Sequence, residues 1–327
     1  MLAYAIRRLG QSLLVLVVMS FLVFLGVYAI GDPIELLVNP QADEIERARA
    51  SAALGLDKPI LEQYATFLKG AFSGDLGRSF VYNVPAIQLI LDCLPATLEL
   101  ALAAMVVAIA IGIPLGLVAG LYPHSFAGRA IMAGSILGFS LPTFWVGLVL
   151  IMLFSVHLGW LPPNGRGETV TLLGVPVSFL TADGLAHLAM PALNLALYKL
   201  SLLTRLTRAS TREAALQDYV KFARAKGLKP ARVVGVHILK NILIPIVTVI
   251  GLELGSVIAF AIITESIFAW PGTGKLLIDS INQLDRPVIV AYLLVIVTIF
   301  IFINFVVDVL YSVLDPRVRL GAAATAH

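Results

Sequence analysis

The side chains of this chain that could do chemistry are polar groups set within long apolar runs. Glu253 lies between Gly251 and Gly255 in one such run, and Asn194 lies in another. An unpaired charge at the centre of a bilayer costs roughly 2.5–3.5 kcal/mol, so a carboxylate kept there must face a polar path, a partner or a neighbouring helix. We therefore take Glu253 and Asn194 as candidates for lining a path through the membrane. The alternative is a hydrogen-bonded contact between helices.

No residue pattern in the sequence is typical of an enzyme site. The five histidines are scattered, and the single Cys93 cannot form a disulfide within one chain. PGTGK at 271–275 resembles a phosphate-binding loop, but Ala269 and Leu276 stand where the motif needs Gly and Ser or Thr. We expect no catalytic residue, no metal site, no cofactor held by this chain and no binding of nucleic acid.

The composition predicts an all-α polytopic membrane protein. Hydrophobic residues make up 59% of the chain and charged residues 13%, against about 25% charged in soluble domains. A spanning helix needs about 20 mostly apolar residues. Six such stretches are present, at Leu9–Ile30, Ala96–Gly120, Arg129–Val156, Leu185–Leu206, Ile238–Ile263 and Pro287–Leu314.

The distribution of Lys and Arg predicts how these spans are oriented. With the N-terminus inside, 15 of the 23 basic residues fall on the cytosolic side, as the positive-inside rule requires. Both termini are then cytosolic. The domain plan has a transmembrane helix at 1–30, an extracytoplasmic subdomain at 31–95, a membrane core at 96–314 with a cytosolic loop at 209–237, and a cytosolic tail at 315–327.

The extracytoplasmic segment is expected to be a small helical subdomain. Asp43–Leu54 is helical by composition, and Gly55 is placed to end that helix. Asp57 and Pro59 are then placed to begin a second helix that runs through Phe67.

The polar, basic segment at 209–240 lies between two apolar spans. Ser210 or Thr211 can cap a helix that continues through Lys226, Gly227 can end it, and Pro230 suits the first turn of the next helix. Helical spacing alone leaves two interpretations open. The helix docks its apolar side on another protein, or the basic residues bind anionic lipid headgroups, each worth about 1 kcal/mol.

The whole chain resembles one family, and many motifs carry the resemblance. The strongest is DYVKFARAKGLKPARVVGVHILKNILIP at 218–245. The others are YAIRRLGQSLLVLVVMSFLVF at 4–24, GDP at 31–33, LGLDKPILEQY at 54–64, SGDLGRSF at 73–80, LPATLELA at 94–101, LPTFW at 141–145, GWLPPNG at 159–165, ITESIFAWPGTG at 263–274 and LDPRVR at 314–319. The chain is similar to ABC-importer permeases of the dipeptide/oligopeptide family, specifically their first membrane subunit.

The resemblance implies a type I importer permease fold and a role for the polar loop. In that family the loop carries a coupling helix that sits in a groove of the ATP-binding subunit. The general pattern is E-A-A, three residues, Gly, nine residues, I-x-L-P. Gly227 occupies the glycine position, whereas 221–223 read KFA and 237–240 read HILK. These departures resemble the peptide-permease variant. The residues expected to make the contact are Asp218, Tyr219, Arg224, Ala225 and Gly227.

The resemblance also implies a function and a set of partners. The chain would be the permease subunit of an ATP-driven, binding-protein-dependent importer in the bacterial inner membrane, carrying di- or oligopeptides or a similar small solute. Its partners would be membrane lipid, a second homologous permease, two ATP-binding subunits that hold ATP and Mg²⁺, and an extracytoplasmic solute-binding protein. The alternatives are a self-contained secondary transporter or channel, and a membrane scaffold without a path.

Overall fold

The computed structural model describes residues 2–28, 34, 38, 43–53 and 55–314, and most of them are helical. The first helices are α1 (Leu2–Tyr28), α2 (Glu44–Ala53), α3 (Ile60–Phe72), α4 (Ala86–Leu121), α5 (Phe126–Ser140) and α6 (Thr143–Leu150). They are followed by α7 (Ala182–Ala215), α8 (Asp218–Ala225), α9 (Pro230–Arg232), α10 (Lys240–Ile267), α11 (Thr273–Asn282) and α12 (Arg286–Leu314). The GDP motif at 31–33 and the predicted tail at 315–327 lie outside the described residues.

Two π-helical segments extend these helices. Ile151–His157 continues α6, and Val233–Leu239 joins α9 to α10. Residues 230–267 therefore form one continuous helix. A short antiparallel hairpin, β1 (Val170–Leu172) and β2 (Val175–Val177), precedes α7.

Three of the described helices are long and apolar enough to cross a membrane. They are α4, the continuous helix Pro230–Ile267, and α12 over Arg286–Val307. The number rises to four if α5 and the helix that follows it form one broken span. The first predicted span falls on α1, whose described apolar stretch is Leu14–Gly26. The fourth predicted span falls on α7. The total of six spans stays a prediction.

The third predicted span, Arg129–Val156, is not one straight helix. α5 and the helix Thr143–His157 meet at an angle of 106°. The cause is local, because a proline disfavours helical geometry in the residue before it. Leu141 is extended, with a ψ of 133°, and Pro142 stands at the start of α6. The prolines inside α4, α7 and α10 leave those helices continuous.

The chain forms two compact units, one of Met1–Thr97 with Ala269–Phe302 and the other of Leu98–Phe268 with Ile303–His327. In the first unit, α2 is bounded as its sequence predicts. Asp43 accepts a hydrogen bond from the Glu46 amide at 2.7 Å, and Gly55 follows the helix with a φ of +67°. The next helix, α3, ends at Phe72 rather than Phe67.

Buried polar contacts tie separate segments of this first unit together. The fully buried Asp285 accepts hydrogen bonds from the Ser79 hydroxyl at 2.5 Å and from the Phe80 amide at 3.0 Å. The indole of Trp270, also fully buried, donates to the Ala96 carbonyl at 2.8 Å. Through these contacts, Ser79 and Phe80 of the SGDLGRSF motif and Trp270 of the ITESIFAWPGTG motif stabilise the packing of this unit.

In the second unit, α4 packs closely on α7 because three glycines on α4 face it. Gly112, Gly116 and Gly120 are spaced four residues apart, so they share one side of the helix. A Cβ at Gly120 would lie 2.6 Å from the Cβ of Thr211, which is tighter than real contacts allow. Small residues at this spacing let two helix backbones approach each other within a membrane.

Glu99 on α4 holds the segment that contains the hairpin. One carboxylate oxygen accepts hydrogen bonds from the amide and hydroxyl of Ser178 at 2.7 and 2.8 Å and from the amide of Phe179 at 2.9 Å. The other accepts two from the guanidinium of Arg166, at 3.0 and 2.5 Å. A carboxylate this well satisfied is a structural anchor.

Candidate functional site

The predicted coupling residues lie on and just after α8, a short amphipathic helix. Its apolar side is buried, with Val220 fully enclosed and Ala223 only 3% exposed. This side packs on the π-helical segment Val233–Leu239, and α8 also contacts α7. The opposite side faces outward, so the helix is seated on its own chain and keeps a free surface for another molecule.

The start of α8 differs from the prediction. Ser210 and Thr211 do not cap it, because both lie inside α7, which runs on to Ala215. The break comes later, and Gln217, with an extended ψ of 150°, is the residue before α8. Thr211 is buried against Gly120 of α4. Tertiary packing therefore decides the environment of this residue and overrides its preference for a helix start.

The end of α8 is as predicted. Gly227 has a φ of +71°, its amide donates to the Arg224 carbonyl at 2.9 Å, and the Leu228 amide donates to the Ala223 carbonyl at 3.3 Å. This pair of hydrogen bonds is a Schellman motif, which needs a left-handed residue and therefore favours glycine. Pro230 then occupies the first turn of α9. The turn fixes the direction in which the chain leaves α8.

All five predicted contact residues are exposed, namely Asp218, Tyr219, Arg224, Ala225 and Gly227. The ammonium of Lys221 donates to the Asp218 carboxylate at 2.9 Å. This hydrogen bond and the positive charge of Lys221 lower the pKa of Asp218 from its ordinary value. Phe222 is 62% exposed, and the Lys226 ammonium lies 4.6 Å from its ring centre. The free surface thus offers an aromatic ring and charges of both signs.

A cleft of about 320 Å³ opens beside this surface. It lies between the end of α7, the start of α8 and the start of α10, and its lining includes Glu213, Gln217, Tyr219 and Asn241. The exposed face and the cleft together form an uneven surface of the kind that binds a protein partner. Within the described ranges, no three His, Cys, Asp or Glu side chains are grouped to hold a metal ion.

Glu253, the first candidate path residue, forms an ion pair between two helices. Its carboxylate on α10 pairs with Lys199 on α7. Ser256 bonds to both, with its hydroxyl 2.7 Å from the Lys199 ammonium and 2.9 Å from the Glu253 carboxylate. The Lys199 side chain is 9% exposed and that of Glu253 is 25% exposed. Lys199 was not selected from the sequence, although a lysine in an apolar run signals that a counter-charge is needed.

Asn194, the second candidate, contacts a different residue of α10. It is fully buried, and its side-chain amide donates to the Thr264 hydroxyl at 3.0 Å. Its side-chain oxygen has no hydrogen-bond partner among the described residues. Both candidates therefore take part in contacts between α7 and α10, and their role in a path stays a prediction.

Comparison with known proteins adds what the geometry alone does not. Residues 112–320 match the model of the family described as binding-protein-dependent transport system inner membrane component. Residues 1–101 match the model of the N-terminal region of such membrane components. The chain belongs to this family.

The permease is similar over almost its whole length to several named transport permeases. It is 41% identical to the di/tripeptide transport system permease protein DppB of Pseudomonas aeruginosa, over 98% of the permease and 99% of that protein. It is 38% identical to the oligopeptide transport system permease protein AppB of Bacillus subtilis, over 98% and 100%. The glutathione transport system permease protein GsiC of Escherichia coli is also 38% identical, over 98% and 99%.

One solved structure shares the fold of the permease. It is described as the MetNI methionine ABC transporter in inward-facing conformations, with a TM-score of 0.53 and 14% identity. The match covers 70% of the permease and 97% of that chain. At this identity the likeness concerns the fold alone.

These findings confirm the resemblance seen in the sequence. The permease is an ABC-importer subunit of the dipeptide/oligopeptide permease family and a component of the bacterial inner membrane. Its relatives are transport subunits, so it is not an enzyme. The same findings decide against a self-contained secondary transporter or channel and against a scaffold without a path. Membership of the family implies a partner permease, ATP-binding proteins and a solute-binding protein.

Proposed function

We propose that the permease imports short peptides as the first membrane subunit of a complex with a second, homologous permease, two ATP-binding subunits and an extracytoplasmic solute-binding protein. Relatives named for di- and tripeptides, oligopeptides and glutathione support this substrate class, because all of these solutes are peptides. The binding protein delivers the solute, and the ATP-binding subunits supply the energy.

The proposed topology has six spans, with both termini in the cytosol. The spanning helices already named, together with α1 and α7, account for all six. The excess of Lys and Arg in the predicted cytosolic segments supports the orientation. In this topology α2 and α3 belong to the extracytoplasmic subdomain at 31–95, and α8 lies in the cytosol.

The proposed coupling element is α8. The observation that carries it is the division of this helix into a buried side, on Val220 and Ala223, and an exposed side that bears the five contact residues. A helix held in this way transmits a push on its free side to the helices beneath it. Closure of the ATP-binding subunits would bias the path between inward-facing and outward-facing arrangements, which is a population shift.

The proposed path runs between spans two to five of the two permeases. Glu253 is the better candidate for lining it, because a quarter of its side chain is exposed although it lies in a helix apolar enough to span a membrane. Charged groups in such helices face a polar cavity or a partner more often than lipid. Asn194, being fully buried, would act at the α7–α10 contact and not at the path surface.

The complex reconstituted in proteoliposomes tests the coupling assignment. Arg224→Glu reverses a charge on the free side of α8, and Gly227→Pro destroys the turn after it. We expect both variants to assemble in the membrane but to lose most solute-driven ATP hydrolysis and uptake. Arg212→Glu, an equal charge reversal at an exposed position on α7, is the control and should retain both activities.

If Arg224→Glu and Gly227→Pro keep solute-driven ATP hydrolysis and uptake, α8 is not the coupling element. The same preparation addresses the partners, since ATP-binding subunits should co-purify with the permease in fixed stoichiometry.

A further inference from the structure

Two helices lead into and out of α8, and they are joined far from it by the ion pair between Lys199 and Glu253. α7 carries Lys199 and runs without a break to Ala215, just before α8. After α8, the continuous helix Pro230–Ile267 carries Glu253. The chain thus passes from one member of the pair, through the proposed coupling helix, to the other.

Both arms of this arrangement are continuous helix. At 1.5 Å per residue, Lys199 lies roughly 24 Å from the end of α7 at Ala215, and Glu253 lies roughly 35 Å from the start of its helix at Pro230. The ion pair therefore closes a triangle whose base is α8. While the ion pair is intact, a displacement of α8 must therefore move the two helices together.

The contacts around the pair fix its geometry. Ser256 bonds to both charged groups, at 2.7 Å from the Lys199 ammonium and 2.9 Å from the Glu253 carboxylate. A second polar contact, from Asn194 to Thr264 at 3.0 Å, joins the same two helices. As the residue number rises along α7 it falls along α10, so the helices are antiparallel and both contacts resist sliding.

Stability alone does not account for a charge pair at this place. A buried ion pair gives little net stability compared with well-packed apolar side chains, whereas removing one partner is costly. The contact between α4 and α7, in the same unit, brings glycines of α4 against Thr207 and Thr211. What the ion pair adds is a directional connection between two particular points.

We propose that Lys199 is a positioning residue for coupling: by pairing with Glu253 it makes α7 and α10 move as one body when α8 is displaced. This inference rests on the proposed role of α8. Lys199 is buried behind Glu253 and acts through it, so it need not touch the solute.

The test compares Lys199→Met, Glu253→Gln and the exchange Lys199→Glu/Glu253→Lys in the reconstituted complex. Coupling is measured in two ways, as the stimulation of ATP hydrolysis by the binding protein and as the ATP consumed for each labelled Ala-Ala dipeptide imported. We expect Lys199→Met to keep basal ATP hydrolysis, to lose the stimulation, and to consume about fivefold more ATP per peptide or worse. Glu253→Gln should lose the stimulation as well, because it removes the other half of the same pair. The exchange, which restores a pair, should bring both quantities back towards the wild type.

Lys199→Arg keeps the positive charge, so its binding-protein stimulation and its ATP consumption per peptide should match the wild type. If the exchanged pair does not assemble, this variant shows whether a cation at position 199 is what coupling requires. The matched control is Lys58→Met, because Lys58 pairs with Glu62 four residues further along the chain, and both side chains are about half exposed. It should behave like the wild type.

A purely structural role would lower the amount of complex, so that ATP hydrolysis and uptake fall together and the ATP consumed per peptide stays constant. That result in the single variants, or uncoupling in Lys199→Arg, overturns the inference. A wild-type complex that is stimulated by its binding protein but imports no Ala-Ala contradicts the peptide assignment instead. In that case, the stimulation of ATP hydrolysis by the binding protein is the only measurement that decides the role of Lys199.

Discussion

The carbonyl oxygen of Thr204 on α7 lies only 2.5 Å from where a Cβ would stand at Gly116 on α4. The Cβ of Thr207 lies at the same distance from that point. Gly116→Ala must therefore separate the two helices. We expect a loss of about 1–3 kcal/mol, typical of overpacking a close contact, measured by thermal unfolding of the purified permease in detergent.

Gly134→Ala on α5 is the control, because nothing lies within 4 Å of its added Cβ. Gly112→Ala should be intermediate, since the nearest atom there is 3.1 Å away. Equal melting temperatures for Gly116→Ala and Gly134→Ala would show that α4 and α7 are not this close.

Gly227→Ala tests the turn after α8. The residue has a φ of +71° with open space around it, so the cost comes from the backbone alone and amounts to roughly 1–2 kcal/mol for a residue with a Cβ. We expect weaker coupling of ATP hydrolysis to uptake, with normal assembly. Gly227→Asn should be milder, because asparagine tolerates the left-handed region better.

The control for this turn is Gly235→Ala, in the π-helical segment. Its Cβ would also meet nothing within 4 Å, and its φ is not in the left-handed region. The account of the turn fails if Gly227→Ala and Gly235→Ala have the same effect on coupling.

Glu99→Gln removes the charge from the anchor of the hairpin segment. The carboxylate accepts hydrogen bonds on both oxygens and is 3% exposed, and its partner Arg166 is 10% exposed. Breaking a buried pair on one side costs about 3–5 kcal/mol, which we expect to see as a lower unfolding temperature. Lys58→Met breaks a pair whose side chains are about half exposed and should cost no more than about 1 kcal/mol. Similar losses for the two variants would refute the anchoring role.

The pH dependence of coupling should not arise from Asp218. Because its pKa is lowered in the folded protein, its stabilising pair with Lys221 is fully present above the ordinary value of 3.8 and is lost only as the pH falls through the lowered pKa. Asp218→Asn should therefore change ATP hydrolysis by the same factor at every pH between about 5 and 8. A pH profile that differs in shape between this variant and the wild type would contradict the lowered pKa.

Local sequence rules predicted what local forces decide. The end of α8 at Gly227 and the start of α9 at Pro230 follow from backbone preferences of single residues, and so does the glycine after α2. The expected cap at Thr211 was wrong because that residue is buried against Gly120 of a distant helix. The spacing of Gly112, Gly116 and Gly120 was a usable signal for this contact, as small residues four apart mark close helix packing.

Contacts between side chains that lie far apart in the chain could not be predicted from the sequence. Glu253 stood out as a charge in apolar surroundings, yet no spacing rule joins it to Lys199, which lies on a different helix. The bend at Pro142 was missed for a different reason. Hydropathy averaged over 129–156 shows one apolar stretch and carries no information about the 106° angle between its halves.

The ion pair between α7 and α10 also has a consequence for biogenesis. Lys199 is synthesised 54 residues before Glu253, a delay of roughly 3–11 s at 5–20 residues per second. During that time α7 carries a cation whose counter-charge does not yet exist, and by composition it is not among the helices apolar enough to cross a membrane unaided. If α7 spans the membrane as proposed, we therefore expect its stable insertion to depend on α10, so that a glutamate synthesised later stabilises a helix synthesised earlier.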